Sequence, residues 1–188
     1  MFRAGVVLAV GIFVVAIFQV AYWFGPFGIV STHPGSSPRI VRTSPRYDGV
    51  KIEPSPATSF RFVECGEGMV INDVTIFLDG TVVYSGVFLV NGPNPQPTTK
   101  AKLTPEEVQA FCDLLNEIEF INLPDSYSTD VVCGTSIYCT LQIGTIRKEV
   151  ACDNLFPDEV MKITQFLEAK VLPKVQPPGV PLTGSTIL

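Results

Sequence analysis

The stretch that decides the fold is V-I-N-D-V-T-I-F-L-D-G-T-V-V-Y-S-G-V-F-L-V, at residues 70–90. Apolar side chains alternate with others as far as Asp79-Gly80, a dipeptide typical of a tight turn between two β-strands. Residues 81–90 are rich in Val, Tyr and Phe and form the predicted partner strand. The stretch therefore predicts a β-hairpin, with one face of its first strand made by Val70, Asn72, Val74, Ile76 and Leu78.

Two further strand patterns flank this hairpin. Residues 59–65 (S-F-R-F-V-E-C) predict a strand before it. Residues 137–152 predict a second hairpin that turns at Gly144-Thr145, because apolar residues alternate on both sides of that dipeptide. With a two-residue loop, one face of the second hairpin carries Ile137, Cys139, Leu141 and Ile143, then Ile146, Lys148, Val150 and Cys152.

Two helices are predicted from residues typical of a helix start and from the spacing of the apolar residues that follow. Thr104 is a predicted N-cap, Pro105 follows it, and Glu107 completes a capping box. Apolar residues then recur every three or four positions, which indicates one buried helix face made by Val108, Phe111, Cys112, Leu115 and Ile118. A second helix is predicted from about Pro157, with Val160, Ile163, Phe166 and Leu167 facing inward.

The resulting order is β-β-β-α-β-β-α over residues 59–172. It predicts an α+β domain, an antiparallel sheet of two hairpins with two helices on one face. This segment has seven basic and sixteen acidic side chains, a net charge of −9. Such a balance excludes nucleic-acid binding, which needs a cationic surface.

Residues 4–24 predict one transmembrane helix. They carry no charge, and at ~1.5 Å per residue a helix of this length matches the ~30 Å hydrocarbon core of a bilayer. A cleaved signal peptide is the alternative. Because the nearest charge is Arg3, we expect the amino terminus in the cytoplasm and the remainder in the periplasm or outside the cell. Predicted anchor residues at the membrane interface are Arg3, Tyr22, Trp23, Phe24 and Phe27.

Proline-rich arms flank the predicted domain. Residues 25–58 contain six prolines and predict an extended linker, and residues 173–188 contain four and predict an extended tail. Apolar side chains scattered through both arms suggest contacts with other proteins, whereas a flexible tether is the alternative. The candidate partner contacts are Ile40, Val41, Val180, Leu182, Ile187 and Leu188.

Catalytic and metal-binding patterns are missing from the sequence. The one histidine, His33, lies in the linker, and the five cysteines contain no C-x-x-C spacing. Asp125 and Asp130 could hold a hard cation, although loop-shaping turns are the favoured interpretation. Lys148 lies mid-strand among apolar positions, so it should either extend to solvent or pair with a carboxylate. We expect no enzymatic activity, cofactor or metal.

The cysteines can form disulfides outside the cytoplasm, but five is an odd number. Cys112 lies in the apolar helix stripe and is the best candidate for a buried free thiol. Cys139 and Cys152 should be diagonal neighbours about 7–8 Å apart, which favours core packing over a bridge. The pair Cys65 and Cys133 is the first candidate disulfide.

Four motifs together resemble a known family. V-T-I-F-L-D-G-T-V-V-Y-S-G (74–86), L-T-P-E-E (103–107), F-I-N-L-P-D-S-Y-S-T-D (120–130) and R-K-E-V (147–150) resemble an uncharacterised family of bacterial exported proteins and lipoproteins. That resemblance implies the α+β fold and export, without an activity. The layout is also similar to emfourin, a protein inhibitor of thermolysin-like metalloproteases.

The sequence favours a non-catalytic subunit of a larger complex in the inner (cytoplasmic) membrane, of the energy-transducing kind, photosynthetic or respiratory. Its expected partners are membrane lipid and other protein subunits. A membrane-tethered protease inhibitor of the emfourin kind, or a ligand-binding module, is the alternative.

Overall fold

The predicted hairpin at Asp79-Gly80 is present in the computed structural model, which describes residues 37–66, 68–86, 88–89, 98–130 and 134–175. Strands β3 (Met69–Phe77) and β4 (Thr81–Ser85) pair antiparallel. The Asp79 carboxylate accepts a hydrogen bond from the Thr81 amide (2.7 Å), and Gly80 has a φ of 91°. A Cβ on Gly80 would lie 2.9 Å from the Leu103 carbonyl, so this turn requires glycine.

The described residues form one sheet of nine strands. Strand β2 (Thr58–Gly66) lies at its centre, with β3 on one side and β8 (Thr135–Ile143) on the other. β8 continues through the predicted turn at Gly144 into β9 (Ile146–Asp153). Shorter strands complete the sheet: β1 (Arg39–Val41), β5 (Phe88–Leu89), β6 (Thr99–Lys102) and β7 (Ser126–Ser128).

Both predicted helices are present. In α1 (Pro105–Glu117) the Thr104 hydroxyl accepts from the Glu107 amide (3.3 Å), and the Glu107 carboxylate accepts from the Thr104 amide (2.8 Å), which confirms the capping box. A 3₁₀ turn at Phe120–Asn122 follows. The second helix, α2 (Asp158–Phe166), continues through a π-helical turn (Leu167–Val171) into α3 (Leu172–Val175).

The helices and one face of the sheet share the hydrophobic core. The ring of Phe60 in β2 packs edge-on against Phe111 of α1 (5.2 Å between centroids) and against Phe120 (5.4 Å). On the opposite face of the sheet the side chains are half-buried or exposed. Arg61 pairs with Asp73 there through two hydrogen bonds, and Tyr138 is 43% exposed. One side of the sheet is therefore uncovered by the described residues.

The fold confirms a mixed α+β domain with a large sheet and two helices, and it corrects two details. The sheet is not purely antiparallel, because β7 runs parallel to β9 and β1 adds to β7 at the edge. The predicted linker of residues 25–58 and tail of 173–188 also take in residues that belong to the domain. Ile52 is 2% exposed and Val175 equally buried. Three-residue strands are too short to show an alternation of apolar and polar residues, so no sequence pattern predicted β1 or β7.

Among the residues that the structure describes, no helix is both long and apolar enough to cross a membrane. The predicted anchor of residues 4–24 lies outside the described residues, and so do residues 25–36 and 176–188 of the two arms.

Candidate functional site

Four polar side chains of the domain hold the segment that precedes β2. We call residues 39–52 the leading segment, and the four side chains that contact its backbone or hydroxyl groups the clamp: Asn116, Asn122, Asp125 and Lys148. The clamp residues come from the end of α1, the loop before β7, and β9. They line one side of the path that the leading segment takes along the domain.

Lys148 is the buried centre of the clamp. It occupies an inward position of β9, and its side chain is 1% exposed. Its ammonium group donates to Ser44 Oγ (2.8 Å), to the Leu123 carbonyl (2.6 Å) and to Asp125 Oδ1. All three protons of the ammonium therefore have acceptors, which is the condition for burying a lysine. Of the two alternatives predicted for Lys148, extension to solvent or pairing with a carboxylate, the structure shows the second.

Asp125 joins Lys148 to the leading segment. Its Oδ2 accepts from the Thr43 and Ser44 amides and from Thr43 Oγ1 (2.8 Å), and its Oδ1 accepts from Ser44 Oγ (2.5 Å). Burial alone would raise the pKa of this carboxyl. The hydrogen bonds from Lys148, from Ser44 and from the two amides outweigh burial and hold the pKa of Asp125 well below its usual range.

Two asparagines hold the remainder of the leading segment through its main chain. Asn116 accepts from the Ile52 amide (2.9 Å) and donates to the Ile52 carbonyl (2.8 Å), which reproduces the pairing of a neighbouring strand. Asn122 accepts from the Tyr47 amide (2.8 Å). The Ile52 side chain inserts into the core. The leading segment is thus held largely through its backbone, and the side chains of Thr43, Ser44 and Ile52 add contacts with the domain.

The clamp has the atoms of a serine–lysine dyad, but the contacts between those atoms do not suit one. A lysine activates a serine by accepting its proton, which requires a neutral amine. Here Asp125 contacts Lys148 directly and stabilises the ammonium form, and the Ser44 hydroxyl lies against the same carboxylate. The arrangement is suited to holding the leading segment and unsuited to nucleophilic catalysis.

A cleft of about 240 Å³ lies between the leading segment and the carboxyl end of α1. Glu119, beside it, has a left-handed backbone with a φ of 48°, which is uncommon for a residue with a side chain. The polar residues that line the cleft are Arg46, Tyr47, Asp48, Asn116, Glu119 and Asn122.

The two aspartates considered as cation ligands, Asp125 and Asp130, have different surroundings in the structure. The Asp125 carboxylate accepts hydrogen bonds from Lys148 and from residues 43–44, which lie about eighty positions earlier in the sequence. These donors lie outside the loop that contains Asp125. Asp130 is exposed. Within the described residues, no group of three or more His, Cys, Asp or Glu side chains could hold a metal.

The described cysteines are free thiols. Cys112, Cys139 and Cys152 are buried, which confirms the core positions predicted for them, and burial raises their pKa values, to about 11 for Cys112 and about 12 for Cys152. Cys65 is half-buried, and its pKa is raised by burial and then by the charges of Asp73 and Glu64. Cys133 lies outside the described residues, so its pairing with Cys65 stays a prediction.

The predicted membrane and partner residues lie mostly outside the described residues. Ile40 is 58% exposed in β1, while Val41 is half-buried and pairs with Ser126. Outside the described residues are Arg3, Tyr22, Trp23, Phe24, Phe27, Val180, Leu182, Ile187 and Leu188.

Sequence reasoning missed the clamp as a site. One signal pointed toward it, since a lysine at an inward strand position needs a buried acceptor. That signal could not identify Asp125 and Ser44, which lie 23 and 104 positions from Lys148.

One family model matches the chain. It is described as a domain of unknown function (DUF6438) and covers residues 70–170, more than half of the sequence. The matched range includes all four clamp residues but neither the leading segment nor the central strand β2. No curated protein matches the chain.

Proposed function

Because the chain belongs to the DUF6438 family, which is defined by a domain of unknown function, we propose a function from its own sequence and geometry. The protein is a non-catalytic, single-pass membrane protein of the bacterial inner membrane. Its α+β domain faces the periplasm or the cell exterior, and the chain serves as an accessory subunit of a larger membrane complex, photosynthetic or respiratory. Membrane lipid and other subunits are its partners.

The observation that carries this proposal is the clamp. Residues 39–41 pair with β7, and Thr43 and Ser44 are fixed to the domain by Asp125, so the connection from the proposed anchor is residues 25–38 instead of 25–58. Fully extended, fourteen residues span about 48 Å, whereas thirty-four would span about 115 Å. A domain on the shorter connection is restricted to the neighbourhood of the membrane surface, which suits a subunit that docks within an assembly there.

A non-catalytic role is supported by the surroundings of the thiol, amine and carboxyl groups in the described residues. The raised pKa values of the described thiols disfavour the thiolate, which is the nucleophilic form. Lys148 and Asp125 neutralise one another in the clamp. The described reactive groups therefore serve packing and positioning better than chemistry.

The partner-binding role rests on the arms. Ile40 is the most exposed large apolar side chain of the described residues, and it lies in the edge strand β1. Residues 176–188 add four apolar side chains in a proline-rich sequence, which loses little conformational entropy when it binds in an extended form. Both features favour contacts with other protein chains.

Co-purification tests the subunit role. The full-length chain, extracted in mild detergent, should migrate with other proteins on native gels. Ile40→Asp, and separately removal of residues 176–188, should each reduce that association. Tyr138→Asp is the matched control, because Tyr138 is also exposed but lies on the open sheet face. A wild-type chain that is always extracted alone would contradict the proposal.

Labelling tests the orientation. A cysteine introduced by Ser36→Cys, after the proposed anchor, should react in intact cells with a thiol reagent that cannot cross the membrane. Reaction only after lysis would place the domain in the cytoplasm. Cysteine placed before the anchor, by Phe2→Cys, is the control and should show the opposite behaviour.

The second candidate function is a membrane-tethered ligand-binding module or a protease inhibitor of the emfourin kind. The cleft beside the clamp favours it, because polar groups converge there on a space of about 240 Å³. An inhibitor should lower the activity of a thermolysin-like protease in the absence of any other subunit. No inhibition at equimolar or higher concentration would exclude the inhibitor and leave only the ligand-binding module.

A further inference from the structure

The cleft between the leading segment and the carboxyl end of α1 combines a buried apolar floor with polar walls. Its floor consists of the side chains of Ile52, Leu115 and Ile121, none of them more than 4% exposed. Its volume is about 240 Å³, several times the space that one water molecule needs. Sites for drug-sized compounds typically measure about 300–1,000 Å³, so this cleft suits a smaller organic molecule.

Glu119 supplies a free acceptor on the wall of the cleft. Its side chain is exposed, and among the described residues no hydrogen bond or ion pair engages its carboxylate. It directly follows Ile118, the C-cap of α1, and the last turn of α1 contains no basic side chain. Because the carboxyl end of a helix carries partial negative charge, this wall favours a positively charged group.

Arg46 and Asn122 supply free donors to the same cleft. Arg46 Nε lies 3.4 Å from the Asp48 carboxylate, but the guanidinium group donates no hydrogen bond to any described residue. Asn122 accepts from the Tyr47 amide through Oδ1 (2.8 Å), while its Nδ2 donates to no described group. Guanidinium and amide N–H groups are suited to binding a carboxylate.

We propose that this cleft binds a free α-amino acid with a short apolar side chain. The ammonium group of the amino acid contacts Glu119, its carboxylate accepts from Arg46 and Asn122, and its side chain faces the floor. The inference rests on the ligand-binding candidate described above. It is independent of the subunit role, because the site lies within the domain and needs no partner chain.

A compound that carries both charges fits the cleft better than a simple ion. An inorganic anion beside Arg46 would also meet the carboxylates of Asp48 and Glu119. A simple amine would pair with Glu119 and leave the donors of Arg46 and Asn122 without acceptors. An α-amino acid offers a partner to each of these groups, and its size matches the cleft.

Isothermal titration calorimetry of the full-length chain in mild detergent tests the site, with L-valine as the probe. Two derivatives are matched to it: N-acetyl-L-valine lacks the ammonium group, and L-valinamide lacks the carboxylate. L-valine should bind at least about tenfold more tightly than either derivative, because each derivative loses one charged contact. No binding of L-valine, or equal affinity for all three compounds, would overturn the proposal. Either result would leave the co-purification test of the subunit role unaffected.

Two substitutions assign the charged ends of the ligand. Glu119→Gln should weaken L-valine binding about tenfold, while the affinity for N-acetyl-L-valine, which has no ammonium group, should not change. Arg46→Gln should weaken L-valine binding and leave the affinity for L-valinamide unchanged. Glu117→Gln and Arg42→Gln are the matched controls, because both residues are exposed and neither lines the cleft. Losses of affinity as large in the controls as in the cleft variants would contradict the assignment.

A third substitution separates binding from folding. Glu119 has a left-handed backbone with a φ of 48°, a conformation that glycine adopts without steric cost. Glu119→Gly should therefore leave the thermal midpoint of the chain unchanged or raise it, while it weakens L-valine binding as much as Glu119→Gln does. A Glu119→Gly chain that binds L-valine as tightly as the wild type would overturn the proposal.

Discussion

The first hairpin and the clamp show two different ways of fixing a chain. The hairpin of β3 and β4 closes over residues 69–85, its turn is set by Asp79 and Gly80, and its inward side chains are apolar except for Asn72 and Tyr84. The clamp joins the leading segment to charged and amide side chains that lie between 64 and 104 positions later in the sequence. The hairpin is stabilised by burial of apolar side chains, which is not directional, whereas the clamp requires each hydrogen-bond donor to meet its acceptor.

The largest expected effect comes from removing the charge partner of Lys148. Asp125→Ala leaves a buried ammonium without its carboxylate, so the free energy of unfolding should fall by about 3–5 kcal/mol. Chemical denaturation of the full-length chain, followed by circular dichroism, measures it. Asp48→Ala is the control: its pair with Arg46 is exposed on both sides and should contribute less than about 1 kcal/mol. Equal losses in the two variants would show that the clamp is no stronger than a surface ion pair.

Stabilisation by burial is tested in α1, whose inward side chains share the hydrophobic core with the hairpin. Leu115 is fully buried, and Leu115→Ala should lower the free energy of unfolding by about 2–5 kcal/mol through lost burial and a residual cavity. Asp113→Ala, on the exposed side of α1, should change it by less than about 0.5 kcal/mol. The same denaturation measurement applies, and a loss below that level for Leu115→Ala would mean that α1 does not pack as described.

A smaller and more local effect is expected at Asn116. Asn116→Ala leaves the Ile52 amide and carbonyl without their partners, at a cost of about 1–3 kcal/mol. Hydrogen exchange should then become faster in residues 47–52 while residues 69–85 keep their protection. Asn72→Ala, in the hairpin, should leave exchange in residues 47–52 at the wild-type rate. Faster exchange throughout the domain would mean that the two regions unfold as one unit.

The smallest expected effect is a difference in acid sensitivity. Because the folded-state pKa of Asp125 is lowered, its contribution is complete above its unfolded pKa of about 3.9 and is lost as pH falls through that value toward the folded pKa. Stability of the wild type should therefore decline below about pH 5. Asp125→Asn should be less stable at neutral pH and show a shallower decline.

Glu64, beside the first hairpin, provides the control of opposite sign. Burial, partly offset by the hydrogen bond from Asn72, raises the pKa of Glu64, so protonation of this carboxyl on acidification favours the folded state. Glu64→Gln should not make the acid decline shallower. A decline unaffected by Asp125→Asn would assign the acid sensitivity to other carboxyl groups.

Local signals were sufficient for much of the fold. The turn at Asp79-Gly80 and the capping box at Thr104 each depend on residues within four positions of one another, and both were predicted at the positions where the structure has them. The stripe that contains Phe111 and Leu115 predicted the buried face of α1 in the same way, because a helix places residues three or four apart on one side. Strands β1 and β7 were not predicted, since three residues are too few to show an alternation of apolar and polar side chains.

The sequence by itself determined which faces are apolar, where the two hairpins turn and where α1 begins, because these properties depend on neighbouring residues. It also placed Lys148 on an inward position of the second hairpin. Only the tertiary structure decided that Asp125 neutralises that lysine, that Ser44 accepts a hydrogen bond from it, and that residues 39–52 belong to the domain. Contacts between residues this far apart depend on how the whole sheet is assembled, and a polar side chain in a loop has the same local pattern whether solvent or a buried ammonium is its partner.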